Sequence, residues 1–331
     1  MTLALVAVAV AFAVSMGAHY TGACMGMPHA LGAVSAWRAL VIMAPLTLLG
    51  AALASHGVEH TVGHGLIAGS LSVPAQIVIV GVAFALTSVF NVLRVPTSTI
   101  QILVFTVVGV ALAARTPVRW GTIAVLAVVW VVAPPVAALL GFVLTRVLDR
   151  VPALHAGSPP PEGDPGSGSA PAGVWLGVAL TVVGAAASFT MGANDVANAS
   201  GSLVAAADFT PLTAGVTGGF GLALGVLTWG RPLLRKVAFD IVTVDRPMAT
   251  AAQLVQALVV LTAVAFGLFT SMNQALVGGM AGAGLARGRR TVKTASLLGI
   301  LRGWVIGPGA GILGGYLISL LLTLTRVPLT P

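Results

Sequence analysis

The chain is poor in charge and in cysteine. Only 7% of its 331 residues are charged while 57% are hydrophobic, and the mean hydropathy is +1.03. This balance excludes an ordinary soluble domain. The single cysteine, Cys24, excludes an intrachain disulfide framework. Ten-residue strands of alternating apolar and polar residues are missing as well, which excludes a transmembrane β-barrel.

What the chain has instead is apolar runs of about 20 residues, each long enough to cross a hydrocarbon core of roughly 30 Å. We therefore expect an all-α integral membrane protein. The first run, 1–18, lacks a positively charged start and leads into further membrane sequence, which favours a retained helix over a cleaved signal peptide. The net charge of +8 comes without a basic patch interleaved with aromatic residues, so no nucleic-acid partner is predicted.

A polar segment divides the chain into two similar halves. Residues 151–172 are rich in Pro, Gly, Ser and Ala and are predicted to be a flexible linker between 1–150 and 173–331. The halves repeat each other. "SMGAHYTGA" (15–23) aligns with "TMGANDVAN" (190–198), and "VPTSTIQILV" (95–104) aligns with "LFTSMNQALV" (268–277). The chain is thus predicted to contain two copies of one membrane unit.

Each copy is predicted to contain about five transmembrane helices and one broken stretch. The helices are expected at 2–18, 39–55, 73–93, 98–114 and 119–147, and at 173–190, 212–229, 249–269, 271–286 and 293–323. The broken stretches, 19–37 and 194–210, are short and interrupted by glycine and other turn-forming residues. We interpret them as re-entrant hairpins, which a membrane tolerates only where protein or a cavity surrounds them.

Charge in the loops predicts that the two copies are inverted. The loop 55–70 contains no Lys or Arg, whereas its counterpart, 231–246, contains four. Since basic loops stay in the cytoplasm, the two loops prefer opposite sides of the membrane. With the basic loop inside and five crossings per copy, both termini are predicted outside and the linker in the cytoplasm of a multi-pass plasma-membrane protein.

Inverted repeats with broken helices are typical of secondary transporters, whose substrate site lies where the broken segments meet. Helix N-termini at such breaks suit an anion. The polar residues concentrate at these places and form the predicted substrate site: Thr97, Ser98, Thr99, Asn194, Asp195, Asn198, Ser202, Thr270, Ser271 and Asn273.

The motif "GANDVANASGS" (192–202) resembles the signature of the inorganic phosphate transporter (PiT) family, which carries a GANDxANA-type and a P-x-S-T-T-H-type motif in each half. The resemblance implies symport of phosphate with sodium or protons, and of sulfate in some members. It makes Asn194, Asp195 and Asn198 candidates for the substrate and coupling-ion site. The second motif is matched by Pro96, Ser98, Thr99 and Ser271.

The departures from the family pattern concern the coupling ion. His19 and Tyr20 stand where the family has Asn and Asp, and Gln101 and Gln274 stand where it has histidine. These four residues and Asp195 form the predicted coupling-ion set. Because Asp195 is the single aspartate of the motif pair, proton coupling through His19 or Asp195 is favoured, with Na⁺ near Asp195 as the alternative. Phosphate and sulfate both remain open.

A rival motif, "HGVEH" (56–60), fits the zinc-peptidase pattern H-x-x-E-H, and His60 and His64 form an i, i+4 pair. A third acidic ligand is not evident, so a membrane zinc hydrolase using His56, Glu59 and His60 is a remote alternative to a polar outer loop.

The sequence thus predicts a transporter that imports inorganic phosphate by alternating access, with a sulfate permease as the alternative. No enzymatic activity, cofactor or resident metal is predicted. The expected partners are phosphate or sulfate and the lipid bilayer, and the glycine-rich surfaces are compatible with a homodimer.

Overall fold

The structure, a computed structural model, describes residues 1–93, 97–151, 171–206, 209–234, 244–288 and 294–331. The described helices of the first half are α1 (Thr2–His19), α2 (Thr21–Ala30), α3 (Ala36–Ala54), α4 (His56–His60), α5 (Val73–Leu93), α6 (Thr99–Ala113) and α7 (Trp120–Leu148). Those of the second half are α8 (Pro171–Asp195), α9 (Ala197–Ala205), α10 (Pro211–Trp229), α11 (Arg246–Ala265), α12 (Met272–Arg287) and α13 (Thr294–Leu324).

The all-helical membrane fold is confirmed, and each of the ten predicted helices is present with its ends shifted by a few residues. Within the described residues, eight helical stretches are long and apolar enough to cross a membrane, with α1–α2 and α8–α9 each counted as one stretch. By contrast, α6 and α12 contain 15 and 16 residues. Both fall short of the roughly 20 residues that a spanning helix needs.

The broken stretches differ from the prediction. A re-entrant hairpin was expected at 19–37 and at 194–210, but each break is one residue with right-handed helical angles: Tyr20 (φ −89°, ψ −2°) and Val196 (φ −57°, ψ −36°). The chain therefore continues as the short helices α2 and α9 and does not turn back at the break. The hairpin interpretation was wrong because the glycines there serve close packing: a Cβ at Gly26 would lie 2.6 Å from the Leu234 carbonyl oxygen.

Glycines bring α1, α3, α8 and α10 into backbone contact. A Cβ at Gly17 would lie 2.0 Å from the Leu222 carbonyl oxygen, joining α1 to α10. At the position 175 residues later, a Cβ at Gly192 would lie 1.9 Å from the Thr47 carbonyl oxygen, joining α8 to α3. Small residues allow membrane helices to approach in this way. These four helices form the group that we name the first body.

A second group is joined by the same kind of contact. A Cβ at Gly109 of α6 would lie 2.2 Å from the Ile312 carbonyl oxygen of α13, and one at Gly282 of α12 would lie 1.8 Å from the Ala138 carbonyl oxygen of α7. The two pairs, α6 with α13 and α7 with α12, are linked by side-chain hydrogen bonds at the N-termini of α6 and α12, and we name them together the second body. Each body takes two helices from each half, and α5 and α11 contact both bodies.

The helix pairs of one half thus recur in the other. The division into 1–150, 151–172 and 173–331 and the inverted orientation of the halves across a membrane stay predictions, and most of the linker lies outside the described residues.

Candidate functional site

The N-termini of α6 and α12 meet inside the molecule. Each helix has a buried serine cap, and the hydroxyls of Ser98 and Ser271 each accept a hydrogen bond at 3.3 Å from a backbone N–H three residues later. These N–H groups belong to Gln101 and Gln274, whose side chains also bond to each other. Gln101 Nε2 donates to Gln274 Oε1 at 3.4 Å, and Gln274 Nε2 donates to Gln101 Oε1 at 3.2 Å. Because the first N–H groups of a helix lack intrahelical acceptors and lie at the positive end of its dipole, this meeting point suits an anion.

Side chains at the two helix breaks lie against the segments that lead into α6 and α12. Asn194 donates from Nδ2 to the Thr270 carbonyl oxygen at 2.9 Å, and its Oδ1 accepts from the Thr270 N–H at 3.2 Å. His19 occupies the corresponding position, with Nε2 3.5 Å from the Thr97 carbonyl oxygen. Asn194, predicted to bind substrate, therefore uses both ends of its amide to position Thr270.

His19 lies between two asparagines. Asn273 Nδ2 lies 3.1 Å from His19 Nε2, and His19 Nδ1 is bonded to Asn91 Oδ1. Asn91 Nδ2 donates to the Ser15 carbonyl oxygen at 2.9 Å, so its Oδ1 is the acceptor. With the amides in these orientations, His19 carries its proton on Nδ1 and accepts on Nε2. The imidazole is therefore neutral in this conformation.

Thr99, the first residue of α6, connects this helix start to both breaks. Its hydroxyl lies 2.8 Å from the Tyr20 hydroxyl and accepts a hydrogen bond from Asn198 Nδ2 at 3.3 Å. Residues of both repeats therefore converge on one buried hydroxyl at the helix N-terminus.

Asp195 ends α8, and its side chain is 0% exposed. Tyr20 and Asn194 are its polar neighbours, yet neither carboxyl oxygen has a hydrogen-bond partner among the described residues. The hydroxyl of Thr270 and Oδ1 of Asn273 are also buried without such a partner. An isolated buried carboxylate is costly in free energy. These oxygen atoms therefore suit a ligand that brings positive charge or hydrogen-bond donors.

Most of the residues predicted from the motifs make these hydrogen bonds, in four separate groups. The groups are His19, Thr97 and Asn273; Tyr20, Thr99 and Asn198; Asn194 and Thr270; and Ser98, Gln101, Ser271 and Gln274. Ser202 is buried in α9, but no described hydrogen bond joins its side chain to the others. Pro96 lies outside the described residues.

Two amides near the site were missed by sequence reasoning. Asn91 of α5 fixes the His19 ring, and Gln256 of α11 donates from Nε2 to the Met272 carbonyl oxygen at 3.4 Å while its Oε1 is buried without a described partner. Each is a buried amide in a mainly apolar helix. The cost of placing polar groups in a membrane was the signal that could have found them.

The rival motif does not assemble a metal site. His56 and His60 are exposed, whereas Glu59 is buried and accepts a hydrogen bond from the Ser200 hydroxyl at 2.6 Å. Within the described part of the chain, no group of three or more His, Cys, Asp or Glu side chains could hold a metal ion. The ligands that a zinc hydrolase would need are therefore not brought together.

Known transporters resemble this chain along almost its whole length. Sulfate permease CysP of Bacillus subtilis (strain 168) is 26% identical over 321 residues, which cover 96% of this chain and 87% of that protein. A probable low-affinity inorganic phosphate transporter of Mycobacterium tuberculosis (strain CDC 1551 / Oshkosh) is 28% identical over 327 residues, which cover 96% of this chain and 77% of that protein.

A solved structure, described as the sodium-dependent phosphate transporter, has the same fold. Its TM-score against this chain is 0.85 at 21% sequence identity, and the match covers 98% of this chain and 99% of the other. The sequence model of the phosphate transporter family matches residues 16–161 and 166–314. The chain therefore belongs to the phosphate transporter family.

Proposed function

We propose that the protein is a secondary active transporter that carries inorganic phosphate together with a cation, by alternating access. The meeting of the α6 and α12 N-termini beside unpaired Asp195 carries this proposal. The helix starts supply partial positive charge and N–H donors for the anion. Asp195 supplies a buried negative charge that is stable only when a cation or proton accompanies it.

Symport follows from the balance of charge at the site. An anion and an ionised Asp195 would repel each other in a buried space, where the effective dielectric constant is low. A proton or a Na⁺ bound at Asp195 removes this repulsion, so each ligand favours the binding of the other. Binding coupled in this way is the thermodynamic basis of symport.

Phosphate is favoured over sulfate by the unpaired acceptors. Near neutral pH inorganic phosphate keeps at least one P–OH group that can donate a hydrogen bond, while sulfate has none. Asp195, Asn273 and Thr270 each present a buried oxygen without a described partner. A ligand with a hydroxyl can satisfy one of them, which matters because unmet buried acceptors are costly.

Sulfate transport is the second candidate. The relative CysP, named a sulfate permease, is similar over 96% of this chain. The first-half motif has His19 and Tyr20 in place of amide and acid, so the site has fewer fixed negative charges to repel a dianion.

A proton is the proposed coupling ion. The motif pair contains one aspartate, so one monovalent cation is enough to neutralise it, and Tyr20 replaces the second acid. Na⁺ at Asp195 is the alternative. We further propose that the protein lies in the plasma membrane with both termini outside and the linker in the cytoplasm, that it catalyses no reaction, and that it assembles as a homodimer through glycine-rich surfaces.

Uptake into proteoliposomes tests these proposals. Radiolabelled phosphate and sulfate are supplied separately and as competitors, with sodium replaced by choline and with the pH gradient varied. We expect phosphate uptake that follows the pH gradient, resists choline replacement and is abolished by Asp195→Asn. His56→Ala, on an exposed residue, should leave uptake intact. Uptake that survives Asp195→Asn would overturn the role proposed for Asp195, and a wild type that takes up neither anion would overturn the transporter proposal.

A further inference from the structure

The acidic residue of the "HGVEH" motif lies inside the protein. Glu59 is 0% exposed, although the histidines before and after it on the short helix α4 face the surface. The carboxyl group lies against α9 and α10. Its position is therefore separate from the outer face on which the motif was expected to act.

The carboxyl group of Glu59 has hydroxyl neighbours and one free oxygen. The Ser200 hydroxyl donates to Oε1 at 2.6 Å, and the Ser55 hydroxyl lies close by, since a Cβ at Gly215 would be 3.1 Å from both Oε1 and Ser55 Oγ. Oε2 is buried with no described hydrogen-bond partner. A carboxylate held by a single hydroxyl in such a place is unfavourable, whereas the protonated group is tolerated.

No cation among the described residues is placed to pair with Glu59. The helices α9 and α10 contain no charged or titratable side chain. The lone charge of α11, Arg246, begins that helix, whereas α4 approaches the segment after its other end, where Gly57 contacts Gly267. Likewise Arg38 lies near the far end of α3. The remaining titratable neighbours are His56, His60 and His64, all exposed, while Asp195 precedes α9.

The fold itself does not require a carboxyl group at this contact. At the offset of 175 residues that relates the two halves here, Ser200 corresponds to Met25 and Glu59 corresponds to Leu234. Both of these counterparts are buried and apolar. The corresponding positions are therefore apolar in one half and hold a hydrogen-bonded acid in the other.

We propose that Glu59 is a second proton-binding site, outside the anion site, which holds a proton on Oε2 while α9 packs against α4 and releases it when the two separate. The link to transport is α9, which bears Ser200 at Glu59 and Asn198 at the Thr99 hydroxyl. This role in coupling rests on the proposed transport of phosphate; the binding of the proton does not.

The acidity of Glu59 agrees with this assignment. Burial raises the pKa of Glu59 from its ordinary value of 4.5 to about 7, and the hydroxyls of Ser200 and Ser55 oppose only part of that rise. The group therefore gains or loses its proton near neutral pH when its surroundings change.

The first test measures proton movement with phosphate in proteoliposomes that contain an internal pH dye. We expect Glu59→Gln to keep phosphate–phosphate exchange but to reduce proton influx per phosphate by about half, because the proton proposed at Asp195 is still carried. His56→Ala, on the same helix, is the matched control and should behave as the wild type. Proton influx at the wild-type level in Glu59→Gln would overturn the proposal.

The second test is independent of transport. Infrared difference spectra of the purified protein, recorded from about pH 5 to about pH 9, follow the C=O stretch of protonated carboxyl groups. We expect a band that is lost in Glu59→Gln and kept in Asp195→Asn. In Ser200→Ala its midpoint should move to higher pH, because a hydrogen bond that favours the ionised form is removed.

The two tests separate the two proposals. If the wild type moves neither phosphate nor sulfate, the transport proposal fails and the infrared band alone decides whether Glu59 binds a proton. If the spectra of the wild type and of Glu59→Gln are the same, or if Na⁺ removes the band, the proton site is refuted even in a working transporter.

Discussion

At the scale of single residues, the site consists mainly of side chains that hold other parts of the site. Asn194 holds Thr270, Asn273 holds Thr97, and the Thr99 hydroxyl contacts Tyr20 and Asn198. Asp195 is the exception, because both of its oxygens are buried without a described hydrogen-bond partner. This division separates the group that responds to a ligand from those that shape the place where it binds.

Removing the Thr99 hydroxyl should impair transport more than it impairs folding. Thr99→Val deletes the hydroxyl that contacts both Tyr20 and Asn198 and leaves their polar groups buried, at a cost of about 1–3 kcal/mol. We expect phosphate uptake to fall about tenfold or more, with the protein still recovered folded. Thr262→Val is the control, because that exposed hydroxyl bonds only to the Leu258 carbonyl oxygen of its own helix. Equal uptake by the two variants would contradict the role of Thr99.

The raised pKa of Glu59 predicts how stability depends on pH. Since folding raises the pKa from 4.5 to about 7, the native state is favoured fully below about pH 4.5 and loses that advantage as the pH rises through about 7. The difference corresponds to about 3 kcal/mol. Glu59→Gln cannot ionise, so its melting temperature relative to the wild type should increase over this pH range. Thermal unfolding in detergent measures the two melting temperatures at each pH. A difference between them that does not change with pH would disprove the expectation.

The site was predicted from sequence only where polar residues stand out as motifs. Asn194, Asp195 and Asn198 form a polar island between apolar runs, and the cost of burying them pointed to function. The partners of these residues could not be read in the same way. His19 is fixed by Asn91, 72 residues away, through a contact that helix packing creates. A single amide in an apolar helix gives no spacing that would identify its partner.

At the scale of helices, the close contacts depend on glycine. A Cβ at Gly50 would lie 1.9 Å from the Phe189 carbonyl oxygen of α8, so α3 and α8 would have to separate. Gly50→Ala should destabilise the protein by about 1–3 kcal/mol. Gly81→Ala is the matched control, because a Cβ at this position of α5 meets nothing within 4 Å, and alanine favours the helix. Thermal unfolding compares them, and equal melting temperatures would rule out a close contact between α3 and α8.

The helices themselves were predictable because apolar runs, and the residues that begin and end them, are local features of the sequence. The start of α6 at Thr99 follows its serine cap, and α12 repeats this arrangement. The hairpin prediction was wrong because it rested on the glycine content of the two broken stretches. Gly17 and Gly192 lie beside the breaks, but they serve the close approach of α1 to α10 and of α8 to α3. Sequence alone does not distinguish a glycine that turns the chain from one that admits a neighbouring backbone.

At the scale of the whole molecule, the predicted topology can be measured by chemical labelling. Cys24 is buried, and its replacement by alanine gives a cysteine-free chain into which single cysteines are placed. Ser158→Cys in the linker should react with a membrane-impermeant maleimide only from the cytoplasmic side, and Thr330→Cys should react only from outside. The positive-inside rule gives the reason. Labelling of both positions from the same side would show that the number of crossings between them is even and not the predicted five.

The two bodies described above suggest where the molecule can move. Contacts between a glycine and a carbonyl oxygen, as between Gly17 and Leu222 or between Gly109 and Ile312, leave little room for sliding within a body. Between the bodies, the site is held by side-chain hydrogen bonds, such as the two that join Asn194 to Thr270 beside the start of α12. A disulfide between two cysteines placed within one body should leave the rate of transport unchanged. A disulfide that joins the two bodies should stop transport until it is reduced. That result would make the boundary between the two bodies the hinge of the proposed transport cycle. The boundary runs through the place where the anion is proposed to bind.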